Sequence, residues 1–571
     1  MSRLFLLFCF PLLLLAGKPE AAWTLEANGD VRWHKVTAIG TYLFATDAGL
    51  YSVDTVSGQY LWKREDMKKV PEFAVEEVPG TPVLFVADDE GRVMKSTKLS
   101  AIDIMTGQTV WETEKLQGMM ADLVPDYSHN AVVLFSTLGG RGKLQILHLD
   151  MVTGKANWDM QLEAKTDLYY SEKSGRFIPR MDLNGHAQPS FHGDAMYVAY
   201  AGLHKINVKT GKQEWGYAFD VTEKSFKHTN ASPLVANGLV YSSAKGVIRA
   251  YDDATGALKF TSADFGAAIP EMLFDNGTVY GRMGGVFLDP TKREYSLKKP
   301  VGVVALDAAT GQLRWRYEGA KDSVTNMHLD RASNSILIAD AKNLIALSLD
   351  ATGNKVKETY KLPLEFKFKS GGGKKAAKMA GRFALGGVRG LAQKDKSGED
   401  EPIALIPRAD GTIIVRGKQH LLQFDPKARQ TGWGSAFKAP GISNFAKVAT
   451  IAAFAMQYGA STAQAANTYW GTSENRWANE DRFKALKQFD AAMAKRFSAN
   501  AISSKFAYML TDVNTPEGDG PGIVGINLAN GEPERELYFK DREPDYVVDE
   551  LSGTVIRTHK GKGAIVAQVV D

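Results

Sequence analysis

The sequence predicts an all-β fold: a single β-propeller of four-stranded blades with a helical insertion. Three observations predict it. A short pattern, best seen in VVALDAATGQLRW (Val303–Trp315), returns through most of the chain. Its copies fall about fifty residues apart, the period of a propeller blade. The 54 Gly and 10 Trp suit short strands joined by tight turns.

Each part of the pattern has a physical reason. Val303–Leu306 is an apolar run that reads as a buried strand. The Asp307 carboxylate can accept hydrogen bonds from N–H groups further into the turn, and Gly311 can take positive φ without a Cβ clash. Leu313 and Trp315 are two residues apart and share one face of the outgoing strand. The other copies are Leu50–Trp62, Leu99–Trp111, Leu144–Trp158, Leu203–Trp215 and Ile248–Phe260, and Leu344–Asn354 has lost the Trp. The structural residues they predict are Asp54, Gly58 and Trp62; Asp103, Gly107 and Trp111; Asp150, Gly154 and Trp158; Gly211 and Trp215; Asp252 and Gly256; and Asp307, Gly311 and Trp315. From Gly58 to Gly353 the motif glycines are separated by 49, 47, 57, 45, 55 and 42 residues. A blade cannot bury both its faces alone, so the Trp is expected to wedge between neighbours. Between the motifs, Ala131–Phe135, Ala195–Ala199, Leu239–Ser242, Thr278–Tyr280 and Ser335–Ile338 read as further strands, entered from turns such as Asn237-Gly238 and Asn276-Gly277.

Composition bounds the rest. With 571 residues, 44% hydrophobic and 23% charged, the chain is globular, and a net charge of +4 argues against a polyanion binder as a whole. Arg3 followed by apolar Leu4–Gly17 reads as a secretory signal, with cleavage between Gly17 and Trp23 and a signal segment of 1–22. The one cysteine, Cys9, lies inside it without a lipoprotein context, so the mature chain is expected to lack disulfides, thiolate metal sites and covalent haem.

Regular blades are expected over 23–360. Lys361–Lys396 then carries ten basic residues against Glu365 and Asp395, together with Gly371-Gly372-Gly373, and reads as a basic flexible insertion over 361–400. Strand character resumes over 401–439 at Ile403–Ile406, Thr412–Val415 and His420–Phe424, a degenerate blade with Asp425 and Trp433 as motif remnants. The stretch 440–501 reads as a helical hairpin. Phe445–Ala466 is Ala-rich, and Asn479–Phe497 sets Phe483, Leu486, Phe489, Met493 and Phe497 at helical spacing. Strands return over 502–571 at Phe506–Leu510, Ile523–Asn527, Tyr546–Val548, Thr554–Thr558 and Ala564–Val569. Trp23–Leu25 is expected to complete the last of these blades and remove the open sheet edges. The repeat count allows nine or ten blades.

The motif D-x-x-T-G-x-x-x-W, preceded by apolar-Ala-apolar, resembles the repeat of the pyrroloquinoline quinone (PQQ) β-propeller superfamily. The resemblance is clear from Leu50 to Asn354 and weak from Ile403 onward, and family habit favours eight blades. One branch implied by it holds dehydrogenases with PQQ and calcium on the propeller axis. The other holds non-enzymatic propellers, including the outer-membrane-protein assembly lipoprotein of Gram-negative bacteria. The repeats pack blades in both and do not choose between them.

Residues that would carry chemistry are sparse. The vicinal Cys pair expected of quinoprotein alcohol dehydrogenases and the C-x-x-C-H of haem-bearing relatives are both absent. His186, His192, His204 and His228 lack ligand spacing. Asp512, Asn514, Glu517 and Asp519 lack the glycine of a calcium loop and read as an acidic solvated loop. The expectation is therefore a non-catalytic propeller, periplasmic or secreted and not a lipoprotein, acting as a protein-interaction or envelope-assembly scaffold without cofactor or metal. Alternatives are an atypical dehydrogenase using PQQ and calcium, and a propeller that senses a small molecule or sugar. The expected partner is another envelope protein and not a nucleic acid. Partner contacts are placed at Lys374, Lys375, Lys378 and Arg382, where the basic insertion can also meet a membrane or anionic polymer, and at Phe445 and Phe454 of the helical insertion.

Overall fold

The computed structural model describes residues 21–570 apart from 91–95, 139–142, 164–166, 172–175, 181–186, 201, 219–229, 245, 290–293, 354–355, 357, 365–399, 439–481, 502–504, 542–544 and 560–561. The signal segment, Lys374, Lys375, Lys378, Arg382, Phe445, Phe454 and the proposed helix Phe445–Ala466 lie outside the described residues, as do His186 and His228.

Ten antiparallel sheets follow one another as the blades of a propeller. Blade one is Trp33–Val36, Thr41–Ala45, Leu50–Asp54 and Tyr60–Arg64. Blades two to eight repeat this meander, blade six being Glu271–Asp275, Thr278–Asp289, Glu294–Asp307 and Leu313–Tyr317. Ten is the upper count that the repeats allow, not the eight of family habit. The later blades keep the strand pattern after losing the glycine or tryptophan that marks the earlier ones.

Blade ten is built from both ends of the chain. Asp545–Asp549, Thr554–His559 and Lys562–Val569 are joined by Trp23–Glu26, which pairs Trp23 with Ala567 and Leu25 with Ile565. A hairpin, Asp167–Ser171 with Arg176–Arg180, stands between blades three and four.

Every blade has two ends. The first-to-second and third-to-fourth strand turns lie at one end, here named the turn face. The second-to-third hairpins lie at the other, and some run long. Thr278–Asp289 and Glu294–Asp307 extend well past Thr278–Tyr280, kinked where the register shifts between Met283 and Gly285.

Alternating apolar residues fill the space between sheets. Tyr42, Phe44, Tyr51, Phe85, Phe135, Tyr197 and Trp315 are almost fully buried. Asn237-Gly238 and Asn276-Gly277 both take positive φ, as a two-residue hairpin requires.

The helix is shorter at its start than its periodicity predicts: it runs Leu486–Ala501, not Asn479–Phe497, and opens with the bond from Phe489 N–H to Ala485 O. Phe483 serves instead as an anchor in the turn before it. Phe483, Phe489 and Met493 are buried in one cluster with Val78, Ile104, Met151 and Val152 of blades two and three. The insertion therefore leaves blade eight at Ala436, returns at Phe506 in blade nine, and docks its helix on the turn face of blades two and three. Arg482 adds a bond to the Val152 carbonyl at 3.4 Å. At the matching turn position Val56 of blade one is 65% exposed, whereas Val152 beneath the insertion is 1% exposed. Among the described residues no helix is long and apolar enough to cross a membrane.

Candidate functional site

The site begins with the turn. Asp307 Oδ1 accepts from Ala309 N at 3.1 Å, Thr310 N at 3.0 Å and Thr310 Oγ1 at 2.9 Å, while Gly311 N donates to the Asp307 carbonyl at 2.8 Å. Asp54, Asp150 and Asp252 hold their turns in the same way. Asn207 does so in blade four, Asp425 in blade eight and Asn527 in blade nine. The turn glycines from Gly58 to Gly311 all lie near φ +70°.

These glycines receive an aromatic ring from the preceding blade. A methyl group placed on Gly107 would come within 2.6 Å of the Trp62 ring. Gly58 stands so against Trp23, Gly154 against Trp111, Gly211 against Trp158, Gly256 against Trp215, and Gly311 against Phe260. In the same contact the indole N–H donates to the carbonyl three residues before the glycine. The pairs are Trp23–Thr55, Trp62–Ile104, Trp111–Met151, Trp158–Val208 and Trp215–Asp253, at 2.5–3.0 Å. Ring, glycine and carbonyl form one lock, which fixes the distance and rotation between two blades at once.

The later locks are improvised, and of their residues sequence reasoning finds Trp433 and misses Arg429, Arg408 and Arg535. Arg429 takes the glycine position of blade eight at φ 56°, and its guanidinium lies 5.4 Å from the Tyr360 ring. Trp433 covers Gly531, whose turn carbonyl at Leu528 accepts from Arg408 at 2.6 Å. Arg535 packs over Gly553. Blade nine keeps a local signal, the weak motif copy Ile526–Leu537, in which Asn527 stands four residues before Gly531 as Asp307 stands before Gly311.

The environment of the motif carboxylates differs by blade. The Asp307 carboxyl is pulled down to about 2 by the bond from Arg314, helped by Thr310. That of Asp252 is pulled down to about 2 by Thr255 and Lys259. Asp103 goes the other way, because burial outweighs the bonds from Met105 and Thr106.

Two histidine networks tie neighbouring blades on polar contacts. His34 lies between Tyr42 Oη at 3.1 Å and Asp545 Oδ1 at 3.0 Å, joining blades one and ten. Burial, with the Asp545 charge second, pushes the Tyr42 phenol well above its ordinary range. Buried Asp126 meets His129 Nδ1 at 2.9 Å and His148 Nε2 at 3.3 Å, and His129 Nε2 reaches Asp194 of blade four at 3.1 Å. His192 and His204, also in blade four, belong to neither network. The acidic stretch from Asp512 to Asp519 forms the long hairpin of blade nine, where Asp512 pairs with Lys438.

Among the described residues no three or more His, Cys, Asp or Glu side chains converge as a metal site.

A family model described as outer membrane protein assembly factor BamB matches residues 46–169 and 168–356. No curated protein matches the sequence. Among solved structures, BamB from Moraxella catarrhalis aligns over 71% of this chain and 96% of its own at 13% identity and TM-score 0.34. The computationally designed Ika8 protein aligns over 70% and 96% at 14% identity and TM-score 0.34. Sqt1 of Saccharomyces cerevisiae aligns over 87% and 96% at 8% identity and TM-score 0.35. The family match spans more than half of the chain and ends where the seventh motif turn does, and on it this ten-bladed chain belongs to the outer membrane protein assembly factor BamB family of PQQ-type β-propellers.

Proposed function

We propose that this chain is an exported, non-catalytic scaffold that holds partner proteins during assembly of a bacterial envelope. The observation that carries the reading is the family match over residues 46–356. The docked helix supports it. The turn face of blades two and three already accepts a helix of this chain through Phe489 and Met493, with Phe483 anchored just before it, and a helix laid by its apolar face on an apolar surface is a recurring mode of protein recognition. The signal-like segment at 1–22 supports export.

The test is crosslinking of the tagged full chain in intact cells, followed by identification of what is captured. Reproducible enrichment of an outer-membrane assembly protein supports the scaffold. A chain that stays in the cytoplasm would remove export. Reconstitution with PQQ and calcium followed by dye reduction tests the enzymatic alternative, and turnover there would overturn the non-catalytic reading.

A further inference from the structure

The seventh motif turn departs from the others by one residue. Ser348 pairs with Ser335 as Asp307 pairs with Thr278, so Thr352, not Gly353, falls at the glycine position. Among the described residues Gly353 has nothing within 4 Å of an added methyl, whereas Gly311 has the Phe260 ring at 2.2 Å. The Trp315 ring, which should find its acceptor in this turn, is fully buried, and its N–H has no acceptor among the described residues. Where the turn is lengthened, an open cleft of about 430 Å³ lies between blades six and seven.

The cleft is acidic. Asp275, Asn276, Arg314, Asn334 and Asp350 line it, with Leu313 at its side. Arg314 is held by Asp307 at 2.8 Å, and Arg331 holds Asp275 at 3.0 Å. Among the described residues three carboxylates thus meet two guanidinium groups, and Asp350 is left there with the neutral amide of Asn334. The Arg331 side chain is 75% exposed while that of Asp275 is 6% exposed. The exposed Arg331 side chain can swing into water, and the buried Asp275 carboxylate then needs another cation in its place.

From this we propose that the cleft receives a basic side chain, of the arginine type, carried by a partner protein. The charge surplus at Asp350 and the displaceable Arg331 argue for that occupant. The planar guanidinium fork suits carboxylates set at two sides of a pocket, and arginine is a frequent anchor at protein interfaces. The proposal rests on the scaffold reading and gives it a point of attachment.

The experiment follows the indole ¹⁵N–¹H signal of Trp315 in full-length protein labelled at its ten tryptophans. Trp315→Phe assigns it. Trp315 is a near reporter, since its ring lies 5.8 Å from Tyr280, which lines the cleft. The probes are acetyl-Gly-Arg-Gly-amide and acetyl-Gly-Glu-Gly-amide. A saturable shift with the arginine peptide alone is expected, at least tenfold weaker in Asp350→Asn and tighter in Arg331→Ala, where Asp275 loses its competitor. No saturable shift with the arginine peptide, an equal shift with the glutamate peptide, or equal binding by all three proteins would overturn the proposal. The nine other indole signals report whether each variant is folded. Crosslinking that captures an envelope protein equally well in Asp350→Asn, with no peptide shift, removes the cleft and leaves the scaffold. A peptide shift without any captured envelope protein does the reverse.

Discussion

The Tyr241 hydroxyl donates to the Ala308 carbonyl at 2.9 Å, across the seam between blades five and six. Five other seams place a tryptophan N–H on the equivalent carbonyl. Here the ring is Phe260, which fills the space over Gly311 and has no donor. The missing bond is restored from a different strand of the same blade. Tyr241→Phe should therefore cost about 1 kcal/mol, the net worth of one hydrogen bond with a buried acceptor left behind. Adding Phe260→Trp should recover most of that loss, while Phe260→Trp alone should gain little. Unfolding of the four proteins in urea, read as a double-mutant cycle, checks the coupling.

Gly107 and Gly238 separate two reasons for a glycine. Both take positive φ, 69° and 72°, but Gly107 lies under the Trp62 ring and Gly238 has open space. Gly238→Ala should cost about 1–2 kcal/mol for the backbone alone. Gly107→Ala should cost about 1–3 kcal/mol more, because the ring must move and its bond to the Ile104 carbonyl is strained. Thermal unfolding of the two variants, with tryptophan fluorescence as a local reporter, measures the difference.

Phe489 is fully buried at the centre of the helix contact. Phe489→Ala should loosen the docking without opening the ring. The expected outcome is faster hydrogen exchange across Leu486–Ala501 and at the Val152 turn, with exchange in blades five to seven unchanged. Equal exchange in both proteins would show that the helix is held by something else.

Asp307 links stability to acid. Its carboxyl sits at about 2 in the folded chain against an ordinary 3.8, chiefly through Arg314. The folded state therefore binds this proton less readily than the unfolded state. The contribution is complete above about pH 4 and drains away as pH falls towards 2. Asp307→Asn should lower the unfolding temperature at pH 7 and narrow the gap to the parent protein in that acid window. Calorimetry between pH 7 and pH 2 measures it.

The repeat was legible because its signals are local. Asp307, Thr310 and Gly311 complete their turn within five residues, and Trp315 follows at fixed spacing, so sequence alone locates the lock. The improvised locks depend on partners far along the chain. Nothing near Arg429 announces that it will take a glycine's conformation over Tyr360, since the ring that rewards it belongs to another blade. Tyr241 is equally silent, because its value depends on what Phe260 lacks. The helix was legible from Phe483, Leu486, Phe489 and Met493, but its start was not. Spacing cannot tell a residue in the first turn from an anchor just before it. The cleft between blades six and seven comes from one extra residue between Ser348 and Gly353, a change that leaves the motif almost intact to the eye.

The pairing of Trp23 with Ala567 also sets an order of events. Blades one to nine can each assemble from consecutive strands as the chain appears, with contacts that are short in sequence. The tenth cannot, because its outermost strand is made first and the strand it needs is made last. Trp23–Glu26 must wait, unpaired, through the synthesis of nearly the whole chain, and the loop it finally closes is the longest the molecule contains. The ring thus behaves as a bracelet whose clasp shuts last. Strain or a competing strand should open it first at the seam of Trp23 with Ala567, leaving the other nine blades as an intact open arc.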